Sequence, residues 1–282
     1  MHRFPTERAR LQVRNPAGDV RVETAEKAET TVELVPLNES EATRQAIANA
    51  RVEARGDEVS VLLEGRGWSI SIGDWALGRN ARVSVRIVCP HGSELDCETA
   101  SADVEAAGRL ATARTRTASG DVSFEHVEGE LYAKTASGDL RVDRVGGRAE
   151  LHTVSGDVEV RAALGGLAAN TVSGDLELGE ITGDLTVTSV SGDQRIRAAG
   201  PGTIALKAVS GDVDVSLRPG LRVRLDVNSV SGTINSDLAV GDAPVPGDAP
   251  EADLRARTVS GDVRIGRAQP SSESASARIA LA

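Results

Sequence analysis

The chain has almost no aromatic residues. Of 282 positions only Phe4, Phe124, Tyr132, Trp68 and Trp75 carry large rings, 2% of the total, while hydrophobic residues reach 40%. Whatever core exists is assembled from Val, Leu, Ile and Ala, and a thick globular interior is not expected. Cysteine is nearly missing as well. Cys89 and Cys97, eight residues apart, make neither a C-x-x-C redox pair nor a zinc ligand set. They read as two buried free thiols, with a disulfide as the alternative. Clusters of basic residues are absent: the formal charge is −10 and Lys and Arg are scattered singly, which opposes nucleic acid and anionic membrane surfaces. No window approaches the roughly 18 apolar residues of a membrane span, so direct membrane insertion is not expected. The first residues, "MHRFPTERARLQVRNPAGD", hold no apolar signal region. The expected location is cytoplasmic, with association at a cell surface left open.

Glycine, in contrast, is abundant at 29 residues, and it falls at regular places. Regular glycine means compulsory bends rather than a flexible tract. The segment "HTVSGDVEV" shows the pattern. Its Ser-Gly-Asp centre places Asp103, Asp121, Asp139, Asp157, Asp175 and Asp193 at steps of 18, then Asp212 after 19, Thr233 after 21 and Asp262 after 29. A near-fixed period over nine occurrences defines a repeat architecture.

Counting each Asp as zero, position +1 holds Val122, Leu140, Val158, Leu176 and Val213, and +3 holds Phe124, Val142, Val160, Leu178 and Ile196. These are inward positions of one strand. Position −3 holds Ala118, Ala136, Val154, Val172, Val190 and Val209, which predicts that the same alternation runs back through the glycine at −1 with these residues inside. That glycine, present as Gly120, Gly138, Gly156, Gly174, Gly192, Gly211 and Gly261, is expected to form the structural turn of each repeat where backbone nears the core. A second glycine at +8, in Gly129, Gly147, Gly165 and Gly183, precedes a change of parity to +10 and +12. Each unit of about 18 residues then contains two short strands and two bends. The expected fold is all-β, a single-chain β-solenoid (β-helix), plus one short helix near the N-terminus. A flat antiparallel meander is the alternative. Like residues at equal phase favour the solenoid, because stacked coils set them over one another at roughly 4.8 Å.

Residues 1–90 lack the strict period and read as an irregular β-rich segment capping the solenoid, residues 91–267 as the repeats, and residues 268–282 as a disordered tail. In the first segment "NPAGDVRV" suggests that Asp19 opens a degenerate rung. A helix is predicted over 39–51, with Asn38 as its cap and Ala42, Ala46, Ile47 and Ala50 on one stripe. The cap reading is preferred to the glycosylation sequon that Asn38 also matches. "VGDAPVPGDAPEAD" reads as an exposed loop before the last repeat.

Stacked carboxylates 4.8 Å apart repel by roughly 1 kcal/mol in water and 3 to 4 kcal/mol at an effective dielectric of 20, so something must offset the ladder. The structural reading has each Asp accept hydrogen bonds from N–H groups at its glycine bend or from the neighbouring Ser hydroxyl. The sharper alternative is a Ca²⁺ ladder on Asp121, Asp139, Asp157, Asp175 and Asp193, although the G-G-x-G-x-D calcium repeat is absent. Thr99, Thr117, Thr135, Thr153, Thr171 and Thr258 at −4, with Ser189 and Ser229, read as a hydroxyl ladder on the outer face. No catalytic constellation emerges. His126 and His152 occupy different phases, and no G-x-S-x-G, Walker or G-x-G-x-x-G motif occurs, so an enzyme is not expected, nor a cofactor.

A solenoid carrying T-x-S-G-D-[VL]-x-[VL] in each coil, preceded by "VSVRIVCPHGSELDCETASADVEA", resembles the bacterial putative-adhesin family of β-strand-repeat domains of unknown function. It is also similar to toastrack-type solenoids. The resemblance spans about Arg82 to Arg267. It implies the fold and an adhesin-like role, and it supplies no catalytic residues. The expectation is a non-enzymatic, rigid protein-interaction or scaffold module with an unidentified protein partner. A self-assembling filament similar to bactofilins, or a Ca²⁺-dependent carbohydrate- or surface-binding module, are the alternatives.

Overall fold

The computed structural model describes residues 1–63, 81–238 and 249–268. Trp68, Trp75, most of the Pro-rich insertion and the tail from residue 269 lie outside the described residues.

Alternating apolar and polar residues set the N-terminal strands: β1 (His2–Pro5), β2 (Arg10–Ala25), β3 (Glu29–Pro36), β4 (Arg51–Arg55), β5 (Glu58–Leu62), β6 (Val83–Pro90) and β7 (Ser93–Arg116). β2 runs parallel to β7 with Asp19 opposite Asp103, so the "AGD" segment does form a first rung. On its other side β2 pairs in parallel with β5 and β6. Beyond them the polarity reverses: β4 is antiparallel to β5, β3 to β6, and β1 to β3. The parallel stack is thereby closed by antiparallel strands at this end.

The helix α1 (Glu41–Ala48) packs on β3 and β6 and is shorter than the expected 39–51, because Arg51 already opens β4. Its N-cap is Ser40, not Asn38: the Ser40 hydroxyl accepts the Thr43 N–H at 3.1 Å. Asn38 braces that cap, its Oδ1 accepting from the Ser40 hydroxyl at 2.8 Å.

The repeats alternate between two sheets. One carries β8 (Val122–Val127), β10 (Leu140–Val145), β12 (Val158–Ala163), β14 (Leu176–Ile181), β16 (Gln194–Ala199) and β18 (Val213–Leu217). The other carries β9 (Leu131–Lys134), β11 (Ala149–His152), β13 (Leu167–Ser173), β15 (Leu185–Ser191) and β17 (Gly202–Ser210). Every pairing within these two series is parallel, and the register joins residues 18 apart, such as Val142 with Val160 and Leu151 with Ala169, until the longer coil shifts it to 19. The meander is excluded. Phe124, Val142, Val160, Leu178, Ile196 and Val215 form one continuous interior file, each at most 2% exposed. Each such side chain contributes on the order of 1.5 to 3 kcal/mol by burial.

The corner differs from expectation. Val154, Val172, Val190 and Val209 are 45–49% exposed, whereas Thr135, Thr153, Thr171 and Ser189 are at most 5% exposed. The inward parity of the second strand, Leu131 and Ala133 in one coil, simply continues to Thr135. Parity then switches across Ser-Gly-Asp, where the glycine adopts a positive φ. The hydroxyl ladder is inside and the valine ladder outside.

The C-terminal coils are out of chain order. β19 (Arg222–Ser231) and β20 (Ile234–Ser236) come first in sequence, but β21 (Glu251–Ser260) and β22 (Val263–Arg267) occupy the next layer of the stack. β21 pairs with β17 on one side and β19 on the other, and β22 lies between β18 and β20. The last coil in the chain is therefore wedged beneath the one before it. This explains the irregular steps of 21 and 29 in the repeat.

Candidate interaction surface

The Ser-Gly-Asp corner is built by glycine. At Gly156 φ is +143°, and a Cβ there would lie 2.2 Å from the carbonyl oxygen of Gly138 in the preceding rung. Gly174 on Gly156 and Gly192 on Gly174 repeat the contact at 2.1 and 2.2 Å. The missing side chain thus faces the neighbouring rung along the stack, not the core as expected, and only glycine lets corners close to strand spacing.

Beside it the aspartates form a continuous hydrogen-bonded ladder. Asp103 Oδ1 accepts the Asp121 N–H at 3.0 Å, and Asp121, Asp139, Asp157 and Asp175 accept the next Asp N–H at 2.9 Å each. Asp193 accepts from Asp212, Asp212 from Asp262, and Asp262 from Thr233, at 2.8–2.9 Å. The donor is the next rung, rather than the residue's own glycine bend or serine. Each bond contributes about 1 kcal/mol, comparable to the ~1 kcal/mol repulsion between solvent-facing carboxylates, so the ladder fixes register more than it adds net stability. Thr233 stands on the outermost rung, where no further N–H in this series has to be accepted.

Outside this corner the exposed file Val154, Val172, Val190, Val209 and Val259 runs along the solenoid, flanked by the exposed serines of the motif. Ala118 and Ala136 extend it toward the N-terminal end and Val230, 77% exposed, ends it. Single exposed valines are ordinary, but a stacked file is a contiguous apolar ridge. The extension of the +10, +12 alternation by one more step was the signal for it in the sequence. The ridge adjoins a row comprising Arg116, Lys134, His152, Asn170, Thr188, Lys207 and Arg257 on one side and the Asp ladder on the other.

Two depressions flank these features. One of about 420 Å³ involves Arg10, Glu94, Arg114, Glu130, Tyr132 and Arg148 among its lining. There the Arg114 and Arg116 guanidinium carbons lie 5.6 and 5.5 Å from the Tyr132 ring centre. The other, about 240 Å³, follows Asp139, Asp157, Asp175 and Asp193. His152 Nε2 sits 2.8 Å from Glu150 Oε1, two residues back on the same strand, and His126 lies on the opposite sheet. Among the described residues no group of three or more His, Cys, Asp or Glu side chains is gathered as a cation would require. The aspartates assigned to a Ca²⁺ ladder are spaced one per rung and committed to backbone N–H groups.

Cys89 and Cys97 are both buried free thiols. Burial pushes the Cys89 thiol up to about 11, against a smaller opposing effect of its hydrogen bond with Ser93. Burial, with the nearby charges of Asp96 and Glu98, raises Cys97 further. One buried residue escaped the pattern: Gln194 occupies an inward +1 position at 0% exposure, its Nε2 donating to the Lys207 carbonyl at 2.9 Å.

Parallel coils, glycine corners and an exposed ridge define a non-globular β-solenoid of stacked repeats. The chain belongs to the Toastrack DUF4097 family, whose model matches residues 8–266. No curated protein matches the sequence. Among solved structures, a putative adhesin from Parabacteroides distasonis ATCC 8503 shares the fold with a TM-score of 0.53 at 11% identity, covering 93% of this chain and 95% of that one. A putative adhesin from Parabacteroides merdae ATCC 43184 does so with a TM-score of 0.53 at 12% identity, covering 94% and 95%. Neither family nor neighbours point to an enzyme class. Among the described residues no helix is long and apolar enough to cross a membrane.

Proposed function

We propose that the protein is a rigid, non-enzymatic interaction module of the adhesin-like kind, and that its valine ridge is the surface that engages a partner protein. The observation that carries this reading is the file Val154, Val172, Val190, Val209 and Val259, each 45–50% exposed, which makes a contiguous apolar surface outside the core. At its centre, Val154, Val172 and Val190, the ridge lies between the carboxylates of Asp157, Asp175 and Asp193 and a stretch of the neighbouring row, His152, Asn170 and Thr188, that carries no Lys or Arg, so the partner matching this stretch is an extended protein segment alternating apolar and basic residues. A β-solenoid suits this task because its side chains are held at fixed spacing and little ordering accompanies binding.

Selection from a displayed peptide library against the folded protein tests this, with Val172→Asp/Val190→Asp as the counter-target. The reading expects basic, apolar-alternating peptides that bind the wild type and lose at least tenfold in affinity for the variant. Binders indifferent to the substitutions would overturn it.

A further inference from the structure

The two ends of the solenoid are finished differently. At the N-terminal end antiparallel strands close the parallel stack. At the other end β19, ten residues long, pairs only with β21 among the described residues. Register places Val223, Leu225 and Val227 over the buried Ala252, Leu254 and Ala256, so these side chains point inward, yet Leu225 is 39% exposed where Leu254 below it is 0%. Ile234 on β20 is 45% exposed over a fully buried Val263. A strand edge that is unpaired among the described residues, over a partly exposed apolar layer, is one that natural sheets cover or pair.

We propose that the occupant is a second copy of this chain, docked end to end with β19 antiparallel to β19 about a twofold axis through Leu225. The proposal stands independently of the valine-ridge reading. Antiparallel pairing keeps inward residues opposite inward residues only in alternate registers. Centred on Leu225, it sets Leu225 against its own copy and Val223 against Val227 of the other protomer, which joins the two apolar layers. On the outer face the same register sets Arg224 against the other copy's Asp226, twice, as an isologous interface requires. Thr233 agrees with this geometry. The outermost rung carries Thr where the inner rungs carry the Asp carboxylate that accepts the next rung's N–H, so the ladder that joins parallel coils is not offered at this end.

The test combines sedimentation velocity with a charge swap, fold being checked by circular dichroism. The wild type is expected to dimerise. Arg224→Asp and Asp226→Arg, each placing like charges opposite one another, should each weaken the dimer at least tenfold, and the double variant Arg224→Asp/Asp226→Arg should restore it. Leu225→Cys should give a disulfide-linked dimer under mild oxidation, since its twofold mate lies within reach and the native thiols are buried. A wild type that stays monomeric to about 0.1 mM would overturn the proposal, leaving the edge to another segment or another protein. Species that grow without limit would overturn it in favour of a filament, and a dimer unmoved by the charge swap would overturn the register.

Discussion

Thr171 and Val172 are consecutive residues of one strand and face opposite ways, Thr171 at 5% exposure inside the solenoid and Val172 at 45% outside. The Thr171 hydroxyl is buried with no hydrogen-bond partner among the described residues, as are those of Thr135, Thr153 and Ser189 in the neighbouring rungs. A buried unpaired hydroxyl costs free energy that an isosteric methyl does not. Thr171→Val should therefore leave stability unchanged or raise it by up to ~1 kcal/mol. Val172→Asp should stay within ~0.5 kcal/mol of wild type, as surface changes do. Urea unfolding of the two variants gives the opposite ranking if the valine file is the core.

Glycine at the corner is required by space and by φ together. Gly156→Ala forces a Cβ to 2.2 Å from a backbone oxygen at φ +143° and should cost at least ~3 kcal/mol. Gly56, with nothing within 4 Å of its Cβ position, should lose only about 1 kcal/mol on the same substitution. Thermal melts of both variants measure the difference.

The buried thiols give an alkaline signature. With burial holding the Cys89 thiol at about 11 in the fold against an ordinary value of 9.0, the folded state keeps its proton over a range in which the unfolded chain releases it. The Cys89 contribution should fall as pH rises from about 9 and level off beyond about 11, a loss on the order of 3 kcal/mol, while Cys97, raised further, continues the decline at higher pH. Cys89→Ala should flatten the Cys89 share of that slope. Denaturant titrations at pH 8, 9.5 and 11 follow it.

The 18-residue step, the corner glycines and the inward +1 and +3 positions were legible in the sequence, because like residues at like phase leave a periodic trace. The face of Thr171 and Val172 was harder, since both are β-branched and suit a strand equally, and the parity switch sits in a three-residue corner. The wedged position of β21 and β22 leaves no periodic trace, only the uneven steps at Thr233 and Asp262. Thr233 in place of Asp was the hint of an outermost rung, readable only once the ladder's donors were known. The N-cap went to Ser40 because Asn38 and Ser40 are both good caps two residues apart.

The central claim is that Ser-Gly-Asp is a structural corner and that function lies on the faces it positions. Equilibrium unfolding of Asp157→Asn and Asp157→Ala, with and without Ca²⁺, tests it most directly. Asn keeps an oxygen to accept the Asp175 N–H, which Asp157 now accepts at 2.9 Å, and removes one charge from the ladder. The account predicts Asp157→Asn within ~0.5 kcal/mol of wild type, Asp157→Ala about 1 kcal/mol less stable, and no response to Ca²⁺ in any of them. A wild type stabilised by Ca²⁺, with that gain abolished by Asp157→Asn, would contradict it and make the corner a cation site.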